Sequence, residues 1–100
     1  MSQFKSGIAV ITGAASGFGL EVSRIAARMG MKVVMADVQA DALELSRHEV
    51  EGLGAEVLPV RTDVSKADAV DALAQATLKR FGVPHFVFNN AGVGSGGLVW

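Results

Sequence analysis

A doubly wound α/β fold built on a parallel sheet is what this sequence predicts, and three observations predict it. Four short apolar strand patterns alternate with three helical ones along the 100 residues. No hairpin turn joins any two of the strands, so each connection is a helical crossover, and such crossovers build parallel sheets covered by helices. The first strand also runs directly into a glycine-rich turn, which in open parallel sheets lies at the switch point beside strand 1. The expected strand order is 3-2-1-4, the first half of such a sheet.

Each element has its own justification. Residues 7–12 contain Ile8-Ala9-Val10-Ile11, a run suited to a strand buried on both faces. From Gly19 onward Val22, Ile25, Ala26 and Met29 recur at i, i+3, i+4 and i+7, a helical spacing that Gly30 ends. Residues 32–36 form a second strand around Val33, Val34 and Met35, and it finishes at Asp37. A weaker helix over 41–51 carries Leu43 and Val50 one heptad apart and stops at Gly52 and Gly54. Residues 56–61 read as a third strand, and Pro59 assigns it to a sheet edge or an irregularity because proline donates no ladder hydrogen bond. Ser65 followed by Asp68 predicts a capped helix start, and Val70, Leu73, Ala74, Thr77, Leu78 and Phe81 mark that helix's apolar face up to Gly82. Residues 85–89 (His-Phe-Val-Phe-Asn) form the fourth strand and lead into a glycine-rich tail.

Composition narrows the function. Half of the residues are hydrophobic, which fits a packed chain and not a disordered one. Nine basic residues against ten acidic ones give a net charge of −1, so there is no electrostatic footprint for nucleic acid. With no cysteine, disulfides, thiolate nucleophiles and cysteine-based zinc sites are excluded. No apolar run reaches the roughly 18 residues of a membrane span. Lys5 and the apolar stretch after it imitate a secretory signal, but Thr12 and two glycines interrupt it, so a cytoplasmic protein is expected. One hundred residues is room for one domain or part of a larger one. A fourth strand left with a bare edge points to the amino-terminal part of a longer protein.

The turn Thr12-Gly13-Ala14-Ala15-Ser16-Gly17-Phe18-Gly19 carries the chemistry. Glycines are needed where backbone takes positive φ, where it nears a pyrophosphate and where helix packs on strand. The first N–H groups of the following helix, at its positive dipole end, then form an anion site, to which Ser16 adds a hydroxyl. A second glycine pattern, residues 92–97, has no helical segment after it and is set aside. Asp37 ends strand 2 where an acidic side chain would accept from ribose hydroxyls, although an aspartate there can also just organise a turn. Asp63-Val64 follows strand 3, and Asp63 too can serve only its turn. Asn89-Asn90-Ala91-Gly92 follows strand 4, at the crevice beside strand 1.

Together, in this order and spacing, Thr12-Gly13-x-x-x-Gly17-x-Gly19, Asp37, Asp63-Val64 and Asn89-Asn90-Ala91-Gly92 resemble the short-chain dehydrogenase/reductases. The resemblance implies a Rossmann-type domain that binds NAD and exchanges hydride with a small-molecule alcohol or carbonyl, usually in a dimer or tetramer. It assigns Gly13, Ser16, Gly17, Phe18 and Gly19 to the pyrophosphate and adjacent ribose, Asp37 to the adenosine ribose, and Asp63 and Val64 to adenine. Asn90, Ala91 and Gly92 would steady the sheet beside the cofactor. His85 stands where many members carry aspartate.

One departure limits the assignment. The family's proton donor is the tyrosine of a Tyr-x-x-x-Lys pair, and this chain contains no tyrosine, so no catalytic residue is assigned within it. His48 and His85 are read as structural. The expected activity therefore belongs to a full-length parent. Two other classes stay open: a noncatalytic nucleotide-binding or regulatory module, and an S-adenosylmethionine-binding domain.

Overall fold

In the computed structural model, which describes residues 7–90, strands and helices alternate throughout. The order is β1 (Ile8–Thr12), α1 (Gly17–Arg28), β2 (Lys32–Asp37), α2 (Ala40–Glu51), β3 (Val57–Arg61), α3 (Ala67–Arg80) and β4 (Phe86–Asn89). The four strands are all parallel and lie in the order β3-β2-β1-β4, as the crossover pattern requires. Pro59 sits opposite Met35 on the edge strand β3, where its missing N–H breaks no outer ladder.

The unbroken apolar run of β1 is explained by burial on both sides, since all five of its residues are buried. Ala9 and Ile11 join Val33 and Met35 on one face, covered by Ala26 and Ala27 of α1 and by Leu43 and Val50 of α2. Ile8 and Val10 join Val34 and Ala36 on the other, covered by Leu73 of α3. On the first face Arg24 of α1 also pairs with Glu49 of α2, an exposed contact of small energetic weight. Among the described residues no helix is long and apolar enough to cross a membrane.

Three local expectations are corrected. Helix α1 begins at Gly17 rather than Gly19, and its buried stripe is Gly19, Ser23, Ala26 and Ala27. Small residues face the sheet because the helix lies close to it; Ile25 and Met29 are left partly exposed. With Val22 they flank an apolar groove against Met31, His85 and Phe86. On α3 the buried positions are Leu73 and Thr77, while Leu78 is exposed. Ser65 does not cap α3: the cap position is Lys66, without a side-chain bond, and Ser65 instead donates to Asp63. Asp63 Oδ1 takes both the Ser65 hydroxyl and the Ser65 N–H, which ties Ser65 into the turn before the helix.

His85 acts as a clasp for the central pair of strands. Its backbone N–H donates to the Ile8 carbonyl at 2.8 Å, and its ring Nδ1 accepts the Ile8 N–H at 3.1 Å. The role needs an acceptor, which an aspartate could also supply. His85→Leu is expected to lower stability by about 1–3 kcal/mol, because the N–H of buried Ile8 loses its partner. His85→Asp, which keeps an acceptor, is expected to recover most of that loss. Chemical denaturation of the three proteins checks the ranking.

Candidate functional site

The turn between β1 and α1 is shaped by its glycines. Gly13 and Gly17 have φ of 62° and 57°, a region costly for any residue with a Cβ. Gly19 is needed for a different reason: a Cβ there would lie 2.0 Å from the Gly13 carbonyl oxygen and 2.6 Å from its carbon. The first turn of α1 therefore rests directly on the end of β1. Ser16, at the N-cap, is extended, and its hydroxyl makes no capping bond. Ser16, Gly17 and Phe18 are exposed, and the first turn of α1 holds no acidic residue to oppose an anion. The open space around Gly17 leaves the helix's unpaired N–H groups accessible.

The turn is held from the strands on either side. On the β2 side, the Ala14 N–H donates to the Ala36 carbonyl and the Ala15 N–H to Asp37 Oδ2, each at 3.0 Å. On the β4 side, Thr12 Oγ1 donates to Asn89 Oδ1 at 2.9 Å, and Asn90 Nδ2 donates to the Gly13 carbonyl at 3.4 Å. Asp37 is 7% exposed, and its second oxygen accepts the Gln39 N–H at 3.0 Å. Two backbone donors thus offset the desolvation of that carboxylate.

Residues far apart in sequence converge here. Gly13, Asp37, Val38, Thr62, Asp63 and Val64 line a small cleft of about 90 Å³ beside the glycine turn. Four of the expected site residues, Gly13, Asp37, Asp63 and Val64, share this cleft. Ser16, Gly17, Phe18 and Gly19 form the adjoining turn, and Asn90 braces it; Ala91 and Gly92 lie outside the described residues, as does the second glycine pattern at 92–97. Asp63 Oδ1 accepts both the N–H and the hydroxyl of Ser65, at 3.0 and 2.6 Å. Those bonds hold its carboxyl below the usual carboxylate range, hydroxyl first and N–H second. Asp63 therefore organises its turn as well as lining the cleft.

Thr62, Val38, Thr12 and Asn89 also belong to this region, and sequence reasoning does not single them out as site residues. Asn89 is visible as the first residue of its motif; Thr62 carries no signal beyond its place beside Asp63. His48 is exposed on α2 next to Glu44, and His85 clasps Ile8 at the opposite end of the sheet, so neither lines the cleft.

The parallel order, the glycine turn and the acidic end of β2 define a Rossmann-type domain. The chain belongs to the short-chain dehydrogenase/reductase family: residues 7–99 match the family model for short chain dehydrogenases. It is 38% identical over 100 residues to a CLA biosynthesis dehydrogenase/reductase of Lactiplantibacillus plantarum, covering all of this chain and 35% of that protein. A short chain dehydrogenase/reductase from Burkholderia phymatum, solved in complex with NAD, is 47% identical with a TM-score of 0.83, over 87% of this chain and 31% of that one. L-sorbose reductase from Gluconobacter frateurii, complexed with NADPH and L-sorbose, is 34% identical with a TM-score of 0.85, over 89% of this chain and 34% of that one. The chain spans about a third of the length of several of the relatives it matches, and 15% of others.

Two measurements test the local geometry. Gly19→Ala should be the most disruptive glycine change, costing about 1–3 kcal/mol, since the backbone of Gly13 must move. Gly17→Ala meets open space and should cost only the left-handed backbone penalty, about 1–2 kcal/mol; thermal denaturation ranks the two. Ser65→Ala should raise the Asp63 pKa toward its ordinary value, read by a carboxyl-carbon NMR titration. Because that pKa is depressed in the folded protein, any stability the Asp63–Ser65 contact contributes is present above the usual carboxylate range and is lost as pH falls through the folded value.

Proposed function

We propose that this chain is the NAD(H)-binding, amino-terminal part of a single dinucleotide-binding domain in an oxidoreductase that interconverts an alcohol and a carbonyl. What carries the reading is the convergence of Gly13, Asp37, Asp63 and Val64 on one cleft beside an accessible helix N-terminus. The residues fit the group: open space at Gly17 admits a pyrophosphate, and Asp37 stands at the strand end where ribose hydroxyls would lie. Asp63 and Val64 would flank the adenine, and Asn90, followed by Ala91 and Gly92, would brace the sheet end beside it. NAD, when bound, supplies the hydride acceptor or donor. This chain's residues hold the adenosine half, fix the phosphates and keep the strand ends in register. No tyrosine occurs among the 100 residues, so the proton donor is assigned outside them. Family membership supports a small-molecule substrate and an assembly of two or four copies.

A noncatalytic nucleotide-binding role is the second reading, since the cleft is lined by groups suited to a nucleotide and by none assigned to catalysis. Both readings require dinucleotide binding, so equilibrium titration with NADH and with S-adenosylmethionine comes first. Tighter binding of the latter would end the proposal. Turnover of the full-length parent then separates enzyme from binding module.

Cofactor choice follows from one charge. Relatives are solved with NAD and with NADPH, so kinship alone does not decide between them. NADP adds a phosphate on the adenosine ribose, the place assigned to Asp37. Two unit charges about 4 Å apart repel by about 1 kcal/mol in water and about 4 kcal/mol at an effective dielectric of 20. The next residue, Val38, is an exposed hydrophobe that supplies no cation, and Arg61, opposite Asp37 in the β2–β3 register, is the candidate counter-charge. The parent enzyme is expected to prefer NAD by at least about tenfold in kcat/KM, a difference of about 1.4 kcal/mol. Asp37→Ser with Val38→Arg should erode or reverse that preference. Equal or better use of NADP by the unmodified enzyme overturns the assignment of Asp37.

A further inference from the structure

The buried face of α2 is Leu43, Ser46 and Val50, so one hydroxyl stands in an otherwise apolar stripe. Ser46 is 6% exposed. Its Oγ has one proton, donated to the Ala42 carbonyl at 2.8 Å, the local bond open to any helical serine, and shared with the Ala15 carbonyl at 3.1 Å. That second contact spans 31 residues and lands in the middle of the glycine turn. Ala15 is therefore held at both polar groups by the β2–α2 unit, its N–H by Asp37 and its carbonyl by Ser46.

The carbonyl bond has a directional consequence. Every described peptide bond is trans, so the Ser16 N–H points opposite to the Ala15 carbonyl. With the oxygen turned toward α2, that N–H is aimed away from α2, into the exposed stretch of Ser16, Gly17 and Phe18. A released peptide unit could rotate and turn its oxygen toward an incoming phosphate, replacing a donor with a repelling acceptor.

We propose that Ser46 is a positioning residue for the phosphate part of the site. It locks the Ala15–Ser16 peptide in the orientation that receives an anion, without touching the ligand itself. The inference rests on the dinucleotide-binding reading. It extends that reading by coupling α2, which follows the ribose-binding strand end, to the turn that holds the phosphates.

The experiment compares the wild-type protein carrying this sequence with Ser46→Ala and Ser46→Thr. Calorimetric dissociation constants are measured for NADH, ADP and adenosine, and hydrogen exchange is followed across residues 13–20. Alanine is a strong helix former, so Ser46→Ala should keep its fold. It should weaken ADP and NADH by roughly three- to tenfold, the size of one neutral hydrogen bond, and leave adenosine unchanged. Exchange in the turn should quicken, and threonine, which keeps the hydroxyl, should bind nearer to wild type. Unchanged ADP affinity in Ser46→Ala overturns the proposal, as does an equal loss for adenosine and ADP, which would mark a general packing role. A wild-type protein that binds neither ADP nor NADH overturns the dinucleotide reading itself and the role of Ser46 with it.

Discussion

The contact between Gly19 and the Gly13 carbonyl sets the geometry of the strand ends. No side chain fits between them, so α1 starts flush against β1 and its N-terminus opens onto the turn. The same closeness selects the residues further along. Ser23, Ala26 and Ala27 continue the small-residue stripe, and Ser23 satisfies its buried hydroxyl on the Gly19 carbonyl at 2.9 Å. Larger apolar side chains on α1 are displaced to its flank, where they border the groove beside β4. A helix packed one side chain further from the sheet would lose both this close turn and this division of labour.

Asp37 places a negative charge next to a site suited to anions, and the structure reconciles the two by direction. Its oxygens are taken up by the N–H groups of Ala15 and Gln39, so the carboxylate is anchored to the backbone on either side of it. Ser16, Gly17 and Phe18 at the start of α1 are exposed, and the helix's first turn carries no acidic residue. Under the proposed function, Asp37 would meet hydroxyls and the exposed turn would meet phosphate.

Much of this is legible in the sequence. The strand order follows from apolar runs separated by helical crossovers, and Pro59, with no N–H to give, marks β3 as an edge. Gly13 and Asp37 can be named from the glycine turn and the acidic end of β2, whereas Asp63 and Val64 are named as site residues only through the family resemblance. What the sequence hides are the contacts decided by orientation. Val22, Ile25 and Met29 have flawless helical spacing, yet the sheet takes the smaller stripe beside them, since periodicity records which residues share a face and not how near that face comes to its neighbour. Ser65 looks like a cap, yet the helix starts one residue later, with Lys66 at the cap position, and the Ser65 hydroxyl donates back to Asp63. Ser46 gives no signal at all: a serine in a helix is ordinary until its partner 31 residues away is known.

The inner position of β1 also bears on how the chain is made. β1 leaves the ribosome ahead of the other three strands, and its partner β2 begins 24 residues on, with Lys32 paired to Ile8. Its other partner arrives far later, with Phe86 paired to Ala9 across 77 residues. At roughly 5–20 residues per second, the interval between the two strands lasts several seconds. Throughout it, one side of a largely apolar strand presents unpaired N–H and C=O groups, the kind of edge that recruits other chains. His85, bonded to Ile8 through both backbone and ring, is the first residue able to shut that edge. Between the synthesis of Asp37 and that of His85, β1 therefore lacks its β4 partner, and the exposed edge is longest-lived in that interval.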